Sequence, residues 1–125
     1  MDKNTEDLRQ QANSLIDLVV RVDRLADLPR TGWLFNGVEE PESIADHQYG
    51  VALISLWLSE RLERDVELGK VYRISILHDV SEAMLTDLPK PVKKFIGSDA
   101  IESAEKKAEE DLLDGASARW LESLE

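Results

Sequence analysis

A chain of 125 residues is long enough for one domain with a buried core and too short for two ordinary ones, so the expectation is a single domain over residues 1–125. At 42% hydrophobic and 33% charged residues it reads as folded rather than disordered, and the lack of cysteine excludes disulfides and thiolate metal sites. No apolar run approaches the roughly 20 residues needed to cross a bilayer, and a net charge of −11 argues against a nucleic-acid polymer as partner.

The N-terminus, MDKNTEDLRQ, is polar and acidic and resembles neither a secretory signal nor a basic transit peptide. Together with the missing cysteines this predicts a cytoplasmic protein. The first helix is expected from about Thr5 to Ala26. Leu8, Ala12, Leu15, Val19, Val22 and Leu25 recur at spacings of three and four and form one apolar stripe. Asn4 or Thr5 is the expected cap. The segment ADLPRTGWLFNGVEEPES then reads as a long loop, punctuated by Pro29, Gly32, Gly37 and Pro41. A loop of that length in a compact domain is more often functional than idle.

A second helix is expected from Ser43, where Ser43 and Asp46 have the spacing of a capping box. Ile44, Val51, Leu53, Ile54, Trp57, Leu58 and Leu62 make it apolar on more than one side, which predicts a central, largely buried helix. A third runs from about Val66 to Asp79. Shorter pieces follow at 81–85 and 91–95, then a charged helix at 100–113 that Gly115 breaks, and a last helical start in SARWLESLE. No segment alternates like a strand and nothing repeats. The predicted fold class is all-α, a helical bundle.

The chain has two histidines, His47 and His78, both on predicted helices among apolar neighbours. One such histidine alone is more often a hydrogen-bonded core residue than a ligand. Here each has a carboxylate beside it, Asp46 before His47 and Asp79 after His78. Adjacent helical residues point about 100° apart, so His78 and Asp79 converge on one ion only if the helix end faces a cavity to which another helix brings His47. Imidazole with carboxylate suits Mn, Fe, Co, Ni or Zn, and spacing alone does not choose among them.

Glu82, four residues after His78, is either a solvated glutamate or a general acid/base. Asp87 is in a place where a turn or cap role is ordinary. For Arg30 a surface ion pair competes with phosphate binding, and for Trp33 burial at the core edge competes with stacking on a base or sugar. There is no Gly-rich phosphate loop and no nucleophile elbow.

RTGW, PESIADH and ILHDVSEAMLTDLP, in that order, resemble the HD-domain phosphohydrolases, in particular the 5′-deoxynucleotidase-like branch. The resemblance runs from about Leu28 to Pro89, roughly half the chain. It implies an HD-type helical bundle in which His47, His78 and Asp79 bind a divalent metal (Mn, Co, Fe, Ni, Zn or Mg). It implies that Glu82 and Asp87 position water and substrate, that Trp33 lies near the nucleotide sugar, and that Arg30 contacts phosphate. The implied activity is release of phosphate from nucleoside 5′-monophosphates, deoxynucleotides above all. The implied partners are a small nucleotide and a second copy in a homodimer, with neither nucleic acid nor membrane involved.

The departure from the family pattern is late in the chain. Members supply a fourth ligand, an aspartate on a later helix, and none of Asp99, Asp111 and Asp114 has a matching context. The expectation is therefore a three-ligand site in a chain shortened at its C-terminus. The alternative is a catalytically impaired HD module kept for binding or oligomerisation.

Overall fold

The computed structural model describes residues 3–125; Met1 and Asp2, the first residues of the acidic N-terminal stretch, lie outside them. Among the described residues the regular elements are all helical, as expected. They are α1 (Lys3–Val22), α2 (Thr31–Phe35), α3 (Ile44–Ser59), α4 (Leu68–Leu77), α5 (Glu82–Leu85), α6 (Lys90–Ile96), α7 (Ser98–Leu112) and α8 (Ala118–Glu122), with a 3₁₀ turn over Asp23–Ala26.

The long helix expected at the N-terminus forms and tightens into the 3₁₀ turn at its end. It already contains Asn4 and Thr5, so neither stands outside it as a cap. Its apolar stripe meets the core only at the C-terminal end. Leu25 is buried and Leu18 and Val22 pack against the core, whereas Leu8, Leu15 and Val19 are more than half exposed. Arg21 fixes that C-terminal end to α7, pairing with the Asp111 carboxylate and donating to the Asp111 carbonyl at 3.1 Å.

The predicted long loop is not structureless, because α2 lies inside it. Five residues with a glycine among them do not hold a helix by propensity. One long-range and one local side-chain bond do so here. Asp87, from a distant part of the chain, accepts the Thr31 amide at 2.7 Å, and Asn36 Nδ2 donates to the Gly32 carbonyl at 2.7 Å. Gly37, at φ +81°, then turns the chain out of the helix. The rest of the connection is pinned by Arg30 N–H to the Glu42 carbonyl and Ile44 N–H to the Leu28 carbonyl, at 3.0 and 2.9 Å.

α3 begins with the predicted capping box: Ser43 Oγ accepts the Asp46 amide at 3.0 Å and the Asp46 carboxylate accepts the Ser43 amide at 3.2 Å. The expectation that this helix is central and largely buried is corrected. Ile44 and Gln48 are buried, but Leu53, Ile54, Trp57 and Leu58 are about half exposed. The reason is that α4 packs along one side of α3, and this pair is the most extensive helix–helix contact among the described residues. Apolar residues all round a helix signal burial only when neighbours exist on all sides.

The core gathers Leu25, Ile44, Leu77, Val80, Ala83, Leu112 and Leu113 from the 3₁₀ turn, the start of α3, the stretch from the end of α4 into α5, and the end of α7. Ile44 and Ala83 are completely inaccessible. These two positions matter for function because Ile44 is three residues before His47 and Ala83 directly follows Glu82. Two separate parts of the site thus hang from the same packed centre.

Candidate metal centre

α4 ends at Leu77, and His78 is its C-cap, still in helical conformation at φ −58° and ψ −27°. The following turn is tight. Val80 N–H bonds to the Leu77 carbonyl and Glu82 N–H to the Asp79 carbonyl, at 2.9 and 3.1 Å. His78 and Asp79, at the point where α4 gives way to this turn, reach each other through their side chains: His78 Nε2 lies 3.2 Å from Asp79 Oδ2. His47 arrives from the first turn of α3 with its Nε2 3.8 Å from the same oxygen. The two imidazoles meet edge to face, with centroids 5.5 Å apart and planes at 67°.

One ligand atom from each of His47, His78 and Asp79 falls within 4.8 Å of the others, a cluster that could hold a metal ion. The surroundings fit that use. His78 Nδ1 lies 3.1 Å from the Ser75 carbonyl, which can only accept, so Nδ1 keeps a proton and Nε2 is the atom turned to the cluster, donating to Asp79 when the ring is protonated and offering its lone pair to an ion when the ring is neutral. Burial, reinforced by the Arg30 charge, lowers the pKa of His47 and favours the neutral ring that ligation requires. Burial pushes the Asp79 carboxyl up, but the His78 hydrogen bond and the charges of His78, His47 and Arg30 outweigh it and keep Asp79 ionised. The same hydrogen bond to Asp79 raises His78 against the opposing effect of burial. Asp46, the other carboxylate next to a histidine, does not join the cluster. Its oxygen is taken by the Ser43 hydroxyl and amide.

Glu82 is not on one helix with His78, because the turn at 78–81 separates α4 from α5. It starts α5 with its Oε2 buried and without a hydrogen-bond partner. Burial, with Asp79 and Asp87 nearby, pushes its pKa up to about 7 against the opposing charges of Lys93 and Arg30. An unpaired, half-buried carboxyl that titrates near neutrality is well placed for proton transfer.

Asp87 works across the chain. Besides accepting the Thr31 amide, its carbonyl accepts the Thr31 hydroxyl at 2.8 Å. It is aimed there by Thr86, a β-branched residue held at φ +64°, where side chains are strained. Asp87→Ala is accordingly expected to loosen α2. Its amide exchange should rise selectively over Thr31–Phe35, with a stability loss of about 1–2 kcal/mol. Unchanged exchange across α2 would refute the tether.

Trp33, expected to be buried on its own merits, is instead about half exposed on the wall of an adjoining cavity of about 720 Å³. Arg30, Asp87, Lys90 and Lys93 line the same cavity. Arg30 does make an ion pair, with Glu42 at 3.8 Å, and Glu42 also stands 3.7 Å from His47 Nδ1. Sequence reasoning assigned no role to Glu42, Ser75 or Lys93. Glu42 lies in the quoted PES stretch, and Ser75 was findable as the i−3 carbonyl of a helix-end histidine. Lys93 had no signal of its own.

The HD domain family model matches residues 22–124. The chain is 32% identical over 75 residues to the 5′-deoxynucleotidase hdd1 of Schizosaccharomyces pombe, covering 60% of this chain and 36% of that one. It is 30% identical over 118 residues to the 5′-deoxynucleotidase HDDC2 of Homo sapiens, covering 89% and 56%. The chain thus spans about half or less of the length of these curated relatives. Among solved structures, a conserved hypothetical protein of Pyrococcus furiosus superposes with a TM-score of 0.76 at 40% identity, covering 87% of this chain and 65% of that one. A Pyrococcus horikoshii protein gives 0.72 at 36% identity, covering 87% and 61%. No helix among the described residues is long and apolar enough to cross a membrane.

Proposed function

The chain belongs to the HD-domain family, and from that premise we propose that it is a metal-dependent phosphohydrolase releasing phosphate from nucleoside 5′-monophosphates, deoxynucleotides foremost. The observation that carries this reading is the convergence of His47, His78 and Asp79 from two helices onto one point, with Glu82 unpaired beside it. The names of the curated relatives support the nucleotide as substrate.

In this reading His47, His78 and Asp79 hold one divalent ion. When bound, such an ion supplies Lewis-acid polarisation of a phosphoryl oxygen and lowers the pKa of water. Glu82 orients the attacking water and takes its proton, a role matched to a carboxyl that titrates near 7. Arg30 offsets phosphate charge, at the expense of its loose pair with Glu42. Trp33 and Asp87 hold the sugar end from the cavity wall, Trp33 by its exposed face and Asp87 by keeping α2 in place. Catalysis rests mainly on positioning and electrostatics, because the transition state spreads charge over the phosphoryl oxygens.

A second reading has one observation behind it. Among the described residues the cluster has three protein ligands. A module that binds without turnover would need no more. One experiment separates the two. Purified protein supplied with Mn or Co is expected to take up about one ion per chain and to release phosphate from deoxynucleoside 5′-monophosphates. A folded protein that binds metal yet shows no release with any divalent ion would leave the binding module as the answer.

A further inference from the structure

Lys93 stands on α6 between two cavities, the one of about 720 Å³ beside the metal cluster and another of about 580 Å³ between α6 and α7. Its Nζ is 3.3 Å from Glu105 Oε1 on α7. Both side chains are more than a third exposed, so the pair is a weak tether. An ammonium has three donors and Glu105 uses one.

The wall around it has an unusual charge balance. The whole chain has 26 acidic residues against 15 basic ones. The cavity beside the cluster, in contrast, is lined by Arg30, Lys90 and Lys93 and by the single carboxylate of Asp87, which already accepts the Thr31 amide. Lys90 has no ion-pair partner among the described residues. Arg30 and Lys93 are each held by one surface glutamate, Glu42 and Glu105 respectively. The charge of Lys93 also reaches Glu82. A cation that faces an anion-receiving cavity while leaning on an exposed carboxylate exchanges that carboxylate for a better anion when one enters.

We propose that Lys93 is a substrate-binding residue that takes the phosphate of the incoming monoester, and that Glu105 restrains it by competing for the same ammonium. The proposal rests on the phosphomonoesterase reading for its substrate but makes its own demand on affinity. Lys93→Met removes the donor, and Glu105→Gln removes the competitor. The two changes therefore move affinity in opposite directions, which a purely structural α6–α7 bridge would not do.

The test is steady-state hydrolysis of a deoxynucleoside 5′-monophosphate, alongside calorimetric titration of inorganic phosphate into chelator-treated protein, with thermal unfolding as a control for folding. Lys93→Met should raise KM about tenfold with kcat nearly kept, and weaken phosphate binding in parallel. Glu105→Gln should lower KM about two- to threefold and tighten phosphate binding. The double variant should behave as Lys93→Met alone, because a competitor cannot matter once its target is gone. KM and phosphate affinity that both worsen in Glu105→Gln, or that do not move in Lys93→Met, overturn the proposal. A wild-type chain that binds phosphate through Lys93 but releases none from any monoester would instead overturn the hydrolase reading and leave this one standing.

Discussion

Replacing His78 with alanine is expected to abolish phosphate release and to lower divalent-metal affinity by more than about 100-fold, the upper end of what loss of an outer-shell partner alone costs. His78 carries three functions at once. Its Nε2 faces the cluster 3.2 Å from Asp79, its Nδ1 is fixed by the Ser75 carbonyl, and its ring packs against His47. Its loss also deprives the half-buried Asp79 of the main partner that keeps it ionised, so a second ligand weakens with the first. The fold should survive. His78 is partly exposed and lies outside the packed set around Ile44 and Ala83. The loss in stability should be about 1 kcal/mol, that of one hydrogen bond. Elemental analysis, a phosphate-release assay and thermal unfolding on the same preparation check all three parts. Full metal uptake with full turnover in a folded His78→Ala would rule out the cluster as the reactive centre.

Glu82→Gln is expected to cut kcat by about 10²–10⁴ with little change in KM, because it removes proton transfer but hardly alters shape. It should also change stability in a way that an ordinary surface glutamate would not. The carboxyl titrates at about 7 in the folded chain against an ordinary value of 4.5, so the folded state holds the proton more tightly than the unfolded state. This contribution is fully present below about pH 4.5 and is lost as pH rises through about 7. The shift sets an upper bound of about 3 kcal/mol. Solvent screening of a part-exposed group reduces this to about 1–2 kcal/mol. Chelator-treated wild type should therefore lose that much between pH 5 and pH 8, while Glu82→Gln, which cannot ionise, should keep it. Its amide can donate to the neighbouring Asp79 and Asp87 carboxylates, where the ionised glutamate is repelled. Parallel pH–stability curves for the two proteins would show that Glu82 is not the group involved.

Much of this was readable from residue order. The helices follow from three- and four-residue apolar spacing, and the start of α3 follows from Ser43 and Asp46, because a capping box is a contact within one turn. The HD pair and the upstream His47 are recognisable in sequence because the family places these residues in fixed local contexts. Asp87 shows where local reading stops. It looked like a turn residue, yet its carboxylate caps α2 from 56 positions away.

The sequence by itself determined that the chain is helical, roughly where the helices lie and which residues could ligate a metal. These depend on periodicity, caps and residue chemistry, all short-range in the chain. Only the tertiary structure decided that His47 joins His78 and Asp79 at the turn after α4, that a helix sits within the expected loop, and that α3 is covered by α4 on one side while Trp57 and Leu58 stay exposed. It also placed Lys93 and Arg30 on the cavity wall, each in an ion pair with a glutamate, Glu105 and Glu42 respectively. The physical reason is the same in each case. Burial, pKa and pairing depend on which distant segments meet, and apolar spacing along one helix records only that a side is sticky, not what covers it.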